Sequence, residues 1–135
     1  MMETPYNNDK KEGVQKNYYE NGKKELENPY KNDKLEGIVK YYYKNGKIAL
    51  KIPYKNGKKN GIEISYSDKK EGSPRLETPY KDNKREGIQK YYINNHVYKE
   101  VPYKDGKKNG IEKNYDKNGK IIMEIKYKNG KVLNE

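Results

Sequence analysis

Tyrosine and lysine are the side chains in this chain that could do chemistry at a surface, with 16 Tyr among 135 residues and 29 Lys among 31 cations. His96 is the one histidine and cysteine is absent, so the sequence offers no His–Cys pair and no His or Cys cluster that would bind a metal. We therefore predict that the protein is not an enzyme. We name no catalytic residue, no cofactor-binding residue and no metal ligand.

Interleaved tyrosines and lysines are compatible with two kinds of binding. Tyr offers large, rigid and amphipathic contact area, which protein-binding surfaces favour. A chain of net charge +11 could instead bind phospholipid headgroups, acidic glycan or single-stranded nucleic acid, because Lys neutralises phosphate while Tyr stacks on bases. Only Arg75 and Arg85 are arginines, however, and 20 acidic residues accompany the cations. The charge is therefore expected to be distributed around the molecule.

These residues recur with a period of about 24, which is typical of repeat architectures. Each unit contains a leading Tyr. In the first five units a Gly follows seven residues after this Tyr, and a second Tyr follows five residues after that Gly. We predict a single repeat array with units at 3–26, 27–50, 51–76, 77–99 and 100–123 and a partial unit at 124–135. The structural residues of the repeat are Tyr6, Gly13, Tyr30, Gly37, Tyr42, Gly46, Tyr54, Gly61, Tyr66, Tyr80, Gly87, Tyr92, Tyr103, Gly110, Tyr115, Gly119 and Tyr127.

Each unit is expected to form two antiparallel strands. In the second unit the alternation of strand side chains places Ile38, Lys40 and Tyr42 on one face. Asn45-Gly46 then predicts a tight type I′ hairpin turn, because both residues tolerate positive φ. A second turn is expected three residues after each leading Tyr, where every occupant enters the left-handed region at low cost. These occupants are Asp9, Asp33, Gly57, Asn83, Gly106 and Gly130.

The composition indicates a thin fold. Leu, Ile and Val are 21 of 135 residues and Phe is absent, so the chain cannot fill one thick core. Tyr suits a thin layer, because its ring packs on a neighbour while its hydroxyl reaches water. We predict an all-β fold, an elongated antiparallel meander of about five to six tandem β-hairpin repeats in a mostly single-layer twisted sheet.

Three places depart from the repeat pattern. Residues 67–75 carry an insertion, and within 93–99 His96 replaces the turn glycine. The last unit stops soon after Val132, which could start a strand without a partner in the chain. Such an edge could support end-to-end self-association or capture a partner's strand. No leader is visible at the N-terminus, so we expect a cytoplasmic protein if the chain is complete and a secreted or surface protein if a leader was removed.

The recurring pattern Tyr-Lys-Asn-Gly-Lys-x-x-Gly-Ile-x-x-x-Tyr-x-x-Asn-Gly-Lys resembles the bacterial variant of the MORN repeat, over residues 3–133. The resemblance implies an elongated sheet of β-hairpins that acts as a binding scaffold. Many bacterial members carry an antitoxin or immunity label, and eukaryotic relatives have been linked to phospholipid binding. The shared residues are residues of the fold, so no functional site is carried over.

A set of tyrosines beyond the repeat positions predicts a partner-binding site. Tyr19, Tyr41, Tyr43 and Tyr91 lie, by alternation, on the face opposite Ile38 or at its rim. With Val39 they could form an aromatic patch for a protein partner. The alternative is that this face is a second thin core.

Overall fold

The chain forms a long antiparallel β-sheet in a computed structural model that describes residues 2–69 and 72–134. No helix occurs among these residues, and therefore none that could cross a membrane. The strands are β1 (Met2–Glu3), β2 (Tyr6–Asn7), β3 (Lys10–Lys11), β4 (Gly13–Tyr18), β5 (Lys24–Lys31), β6 (Lys34–Leu35), β7 (Gly37–Tyr42), β8 (Ile48–Lys55), β9 (Lys58–Lys59), β10 (Gly61–Tyr66), β11 (Pro74–Lys81), β12 (Lys84–Arg85), β13 (Gly87–Ile93), β14 (His96–Lys104), β15 (Lys107–Lys108), β16 (Gly110–Tyr115), β17 (Ile121–Lys128) and β18 (Lys131–Val132).

The long strands form five hairpins that follow one another along the sheet. The sheet order is β1-β4-β5-β7-β8-β10-β11-β13-β14-β16-β17-β18, while β6, β9, β12 and β15 pair with the ends of β5, β8, β11 and β14. We number the hairpins 1 to 5: β4–β5, β7–β8, β10–β11, β13–β14 and β16–β17. Each spans the boundary between two sequence units. This topology confirms the predicted all-β meander.

Neighbouring hairpins are joined by much shorter ladders than those within a hairpin. Each hairpin has six or seven pairs of facing residues. Each of the four junctions between hairpins has two, such as Leu26 with Tyr41 and Glu27 with Lys40. Since the backbone contributes so little there, side chains must decide how firmly one hairpin holds the next.

One of the two kinds of turn differs from the sequence prediction, and the other agrees with it. The prediction of a type I′ turn at Asn45-Gly46 is wrong, because only Gly46 has a positive φ, of 91°. The loop instead has three residues between Tyr43 and Lys47, and the Asn45 side chain accepts the Lys47 N–H at 2.9 Å. Two-residue turns occur in the linkers between hairpins, where both central residues have positive φ. The six positions predicted to have positive φ all do: Asp9, Asp33, Gly57, Asn83, Gly106 and Gly130.

Hairpin 4 has a different turn, because its loop is one residue shorter than the loop of hairpin 2. Asn94 and Asn95 have φ values of 50° and 66°, so a two-residue turn replaces the three-residue loop. His96 therefore does not take the place of the turn glycine, as the sequence suggested. It begins β14, pairs with Ile93 and is exposed.

The glycine that starts each hairpin has a positive φ, and a proline ring lies close to it. Both features favour glycine at this position. Gly61 has a φ of 121°, and a Cβ built on it would lie 2.9 Å from Cγ of Pro53. Gly37 lies in the same relation to Pro29, at 3.3 Å. A larger residue would be strained and would push the proline ring of the adjacent strand.

Burial separates the two faces of the sheet. On the inner face, central pairs of facing residues are largely covered, and Val39 and Val101 are 2% and 1% exposed. On the outer face, Ile38 and Ile62 are 47% and 53% exposed. Burial on one face of a single layer indicates a sheet curved toward that face, and a bulge in every hairpin adds to the bend. The inner row consists of Gln15–Asn28, Val39–Ile52, Glu63–Thr78, Gln89–Val101 and Glu112–Ile125.

The inner row is a mixed polar and apolar interior. Gln89 donates to the Thr78 hydroxyl at 2.9 Å, and Lys108 Nζ lies 3.3 Å from the Glu112 carboxylate. Among the described residues, no buried side-chain nitrogen or oxygen lacks a hydrogen-bond partner. The buried carboxylate and amides are therefore compatible with a stable fold, because unpaired polar groups are what make burial costly.

Candidate interaction surfaces

Two of the predicted partner-binding tyrosines instead connect adjacent hairpins. The Tyr19 hydroxyl donates to the backbone carbonyl of Tyr42, and the Tyr43 hydroxyl donates to that of Tyr66 at 2.6 Å. Both side chains are half-buried. We call this contact the tyrosine clamp. The clamps use the hydroxyls of Tyr19 and Tyr43 at junctions 1–2 and 2–3, so both hydroxyls already make hydrogen bonds within the fold.

The remaining predicted residues do not form one patch. Val39 is buried in the inner row opposite Ile52, so it cannot contact a partner, and its burial favours the alternative of a thin core on this face. Tyr41 is 39% exposed, whereas Tyr91 is half-buried and donates to the Gln89 side chain at 3.2 Å. Four strand spacings separate Tyr41 from Tyr91, roughly 19 Å. Partner binding by these two tyrosines stays a prediction.

An exposed aliphatic row on the outer face was not recognised from the sequence. The residue after each hairpin's first glycine lies there, opposite a proline of the same hairpin in hairpins 1 to 4. Its signal in the sequence is the Ile or Val that follows every unit glycine. The outer stripe consists of Val14, Ile38, Ile62, Ile88 and Ile111 with Pro29, Pro53, Pro79 and Pro102.

Tyrosine–glutamate pairs border the outer stripe. The Tyr42 hydroxyl donates to Glu27 of the preceding hairpin, and burial together with this hydrogen bond raises the pKa of Tyr42 to about 12. Burial opposes ionisation of Glu27, but the Tyr42 hydroxyl and Lys24 hold the pKa of its carboxyl below the usual range. The pair is repeated as Tyr92–Glu77 and Tyr115–Glu100, and the pKa values of Tyr92 and Tyr115 are likewise raised to about 12.

Junction 2–3 lacks this pair. Lys51 stands where the other junctions have Glu, and its Nζ lies 5.6 Å from the centroid of the Tyr66 ring. Junction 2–3 therefore depends on the clamp from Tyr43, whereas junctions 3–4 and 4–5 depend on their Tyr–Glu pairs.

The four linkers between hairpins and the segment that follows hairpin 5 bring cations together along one edge of the sheet. The segments 30–36, 54–60, 80–86, 103–109 and 127–133 contain 13 Lys and Arg but 5 Asp and Glu, which accounts for +8 of the net +11. The expectation of distributed charge is therefore wrong, because the antiparallel meander returns these segments to the same edge. We call it the basic edge. Its exposed lysines are Lys31, Lys34, Lys55, Lys58, Lys81, Lys84, Lys104, Lys107, Lys128 and Lys131.

A second set of cations on the basic edge stacks on the leading tyrosines. Lys59 Nζ lies 4.7 Å from the Tyr80 ring centroid, and the Arg85 guanidinium lies 4.3 Å from that of Tyr103. Consecutive linkers are also joined by backbone hydrogen bonds, such as Gly57 N–H to the Leu35 carbonyl at 2.8 Å. The basic edge is thus tied together along its length and presents its outermost lysines to solvent.

Within residues 2–69 and 72–134 there is no group of three or more His, Cys, Asp or Glu that could hold a metal ion. His96 lines a cleft of about 410 Å³ with Glu100 and Tyr115, but the Glu100 carboxylate already accepts the Tyr115 hydroxyl. The Tyr115–Glu100 contact joins hairpins 4 and 5, whereas His96 pairs with Ile93 of its own hairpin.

Comparison with known protein families supports the repeat reading. The family model described as MORN repeat variant matches residues 11–32, 35–56 and 108–133, about half of the chain. No curated protein matches the chain significantly. MORN repeats are generally associated with scaffolds that bind proteins or membrane lipids.

Proposed function

Since the chain belongs to the MORN repeat variant family, we propose that it is a non-enzymatic scaffold that binds a protein partner through the outer stripe. The exposed aliphatic side chains carry this proposal. Contiguous apolar surface that is left exposed commonly marks an interaction site. Ile38, Ile62 and Ile88 in consecutive hairpins are each about half exposed, and the prolines beside them add rigid apolar surface.

The dimensions of the stripe favour an extended partner surface. Adjacent hairpins are two strands apart, so the five aliphatic side chains from Val14 to Ile111 span roughly 38 Å. They repeat at one position per hairpin, and six or seven pairs of facing residues join the two long strands of each hairpin. A partner that covered the row would bury apolar area at several hairpins at once, which is how repeat proteins use long surfaces.

Charge substitutions in the stripe test the proposal against the earlier prediction from the tyrosines. A protein partner would first be identified by crosslinking and affinity capture with the tagged chain in its native cells. The Ile62→Glu/Ile88→Glu variant should then lose at least about tenfold in affinity, because it places charge in a contact that excludes water. The inner-face variant Tyr41→Ala/Tyr91→Ala should bind as the wild type does. Equal binding by the Ile62→Glu/Ile88→Glu variant, with its fold intact by circular dichroism, would contradict the proposal.

An antitoxin or immunity role is a narrower form of the same proposal. It follows from the resemblance to bacterial relatives and requires that the partner be a toxin. Co-expression with the products of adjacent genes tests this form directly. Protection from a toxic neighbour should require the outer stripe, and a partner without toxicity would leave the scaffold proposal in place but remove the antitoxin role.

The basic edge supports a second candidate function, the binding of an anionic ligand such as phospholipid headgroups, acidic glycan or single-stranded nucleic acid. Ten exposed lysines occur in pairs at successive linkers, spaced by roughly 10 Å. Lys84, Lys104, Lys107 and Lys128 also line a cleft of about 620 Å³ between linkers. Polyanions would gain from the release of their counterions at such an edge.

Two variants with the same net charge distinguish binding by the basic edge from binding that depends only on the net charge. Lys58→Glu/Lys84→Glu/Lys107→Glu alters the basic edge, and Lys44→Glu/Lys117→Glu/Lys120→Glu makes the same change in net charge at the opposite edge. Sedimentation with vesicles that contain phosphatidylserine, and titration with oligo(dT), should both be weakened by the first variant only. Affinity should fall steeply as salt is raised. Equal effects of the two variants, or affinity that does not depend on salt, would contradict this candidate.

A further inference from the structure

The clamp position differs along the chain. Tyr19 and Tyr43 are the residues that follow the last strand tyrosine of hairpins 1 and 2, and each reaches a carbonyl in the next hairpin. At the same position hairpin 3 has Ser67 and hairpin 4 has Ile93. The backbone is equivalent, because the N–H of Tyr43 bonds to Lys47 O and that of Ser67 bonds to Ser73 O, both at 2.8 Å.

The absence of a ring at Ser67 coincides with a cleft. A space of about 430 Å³ lies between hairpins 3 and 4, and Ser67, Pro74, Tyr92, Ile93 and Asn94 are among the residues that line it. Tyr92 is the counterpart of Tyr42 and Tyr66, the two residues whose carbonyls accept a clamp. Junction 3–4 therefore has the acceptor residue and the space of a clamp site without the tyrosine that fills it.

Junction 1–2 provides an internal comparison. A cleft of about 390 Å³ lies there too, but Tyr18, Tyr19 and Lys44 line it, and the acceptor residue Tyr42 does not. Where the clamp tyrosine is present, it separates the acceptor residue from the open space. Where Ser67 replaces it, Tyr92 forms part of the wall.

We propose that the cleft between hairpins 3 and 4 is a binding site for a tyrosine side chain supplied in trans by a protein partner. The ring would lie against Pro74, Tyr92 and Ile93, and its hydroxyl would donate to the Tyr92 carbonyl, as the Tyr43 hydroxyl does to Tyr66. Tyrosine suits the role because it is a rigid, amphipathic anchor of the kind that dominates binding energy at interfaces. The proposal rests on the proposed scaffold function and adds to it the side chain that the partner inserts.

A small phenolic probe tests the cleft without a known partner. N-acetyl-tyrosinamide would be titrated into the ¹⁵N-labelled full chain, with N-acetyl-phenylalaninamide as the control that lacks the hydroxyl. We expect saturable shifts of the amide signals of Ser67, Tyr92 and Asn94. The phenylalanine probe should bind about fivefold more weakly, because it cannot make the hydrogen bond.

Two tyrosine substitutions complete the test. Ser67→Tyr should fill the cleft from within, abolish the probe shifts and raise the Tm by about 3 °C, since it restores a clamp. Asp116→Tyr adds the same side chain at the same position of hairpin 5, beyond which the described residues hold no further hairpin, so the probe shifts should be unchanged. Its Tm should not rise, because the substitution removes the carboxylate that accepts the Asn118 and Lys120 N–H groups at 2.8 and 2.9 Å.

The proposal would be overturned by the absence of saturable shifts in the cleft, by equal binding of the two probes, or by shifts that persist in Ser67→Tyr. The probe titration uses the wild-type chain, so it decides the matter even if Ser67→Tyr does not fold. Failure here would leave the outer stripe as the binding surface, because the Ile62→Glu/Ile88→Glu experiment does not involve this cleft.

Discussion

The first two junctions of the sheet and the last two have the same backbone ladder but different side-chain ties. All four junctions have two pairs of facing residues. Along the basic edge, every consecutive pair of linkers is joined by a backbone hydrogen bond. At the opposite edge, Tyr19 and Tyr43 clamp junctions 1–2 and 2–3, whereas Ser67 and Ile93 leave junctions 3–4 and 4–5 without a clamp.

This difference changes what surrounds the junctions at the two ends of the sheet. Clefts of similar size, about 390, 430 and 410 Å³, lie at junctions 1–2, 3–4 and 4–5. The acceptor tyrosine lines the cleft only at the two unclamped junctions of these three, where Tyr92 and Tyr115 form part of the wall. In a repeat array each hairpin contacts only its neighbours, so stability is close to a sum of local terms. One side chain at a junction can therefore alter cohesion and binding at that junction alone.

Removing a clamp tyrosine should have the largest effect on stability. Tyr43→Ala deletes a half-buried ring and its hydrogen bond at junction 2–3, so we expect a loss of about 2 kcal/mol in unfolding free energy. Ile93→Ala changes the equivalent position of hairpin 4, where the side chain is exposed, and should cost less than about 0.5 kcal/mol. Urea denaturation measures both. Equal losses would show that the two positions are not different in role.

Removing only the hydroxyl should have about half that effect. Tyr43→Phe keeps the ring but not the hydrogen bond to the Tyr66 carbonyl, which predicts a loss of about 1 kcal/mol. Tyr19→Phe should behave alike at junction 1–2, and Tyr98→Phe, with its exposed ring in hairpin 4, provides the control. A loss as large for Tyr98→Phe would mean that the clamps have no special weight.

Alkaline pH should loosen the junctions that carry a Tyr–Glu pair. The pKa values of Tyr42, Tyr92 and Tyr115 lie near 12 in the folded chain against an ordinary value of 10.0. A raised pKa means that the folded state holds the proton more tightly, so this stability is complete below pH 10 and is lost as the pH rises toward 12. The Tm should fall over that range, and by less in the triple Tyr→Phe variant. An identical fall in both proteins would contradict the assignment.

Installing the missing pair at junction 2–3 should give the smallest change. Lys51→Glu places a carboxylate beside the Tyr66 ring and opposite Lys40, which predicts a gain of about 0.5 kcal/mol. The gain should be larger in the Tyr43→Phe background, where the junction has lost its clamp. A destabilised Lys51→Glu protein would show that the stacking of Lys51 on Tyr66 is the better contact.

The sequence predicted the strands and hairpins well because glycines, Asn-Gly pairs and alternation are local signals. It did not reveal which face would be covered. Ile38 and Val39 are adjacent and both apolar, yet Val39 is 2% exposed and Ile38 is 47% exposed. A bulge occurs in each of the five hairpins, and bulges bend the strands that carry them. Alternation within one unit does not show which face such bends would cover.

The surroundings of the candidate residues depend on contacts between hairpins. Tyr19 and Tyr43 were recognised as distinct from the repeat tyrosines, but their partners are carbonyls about one repeat away, and such pairing depends on register. The basic edge was missed because its lysines are scattered in sequence and are brought together by the meander. Contacts between hairpins are non-local, and those are the contacts that alternation within a strand cannot predict.

Native-state hydrogen exchange tests the central claim most directly, namely that side-chain clamps set the cohesion of the hairpins. Amides of β7 and β10, which the clamps hold, should have opening free energies about 1 kcal/mol higher than those of β13 and β16. Tyr43→Phe should remove most of this difference at β10, while β13 and β16 are unaffected. Equal protection of the four strands, or a difference that survives in Tyr43→Phe, would contradict the account.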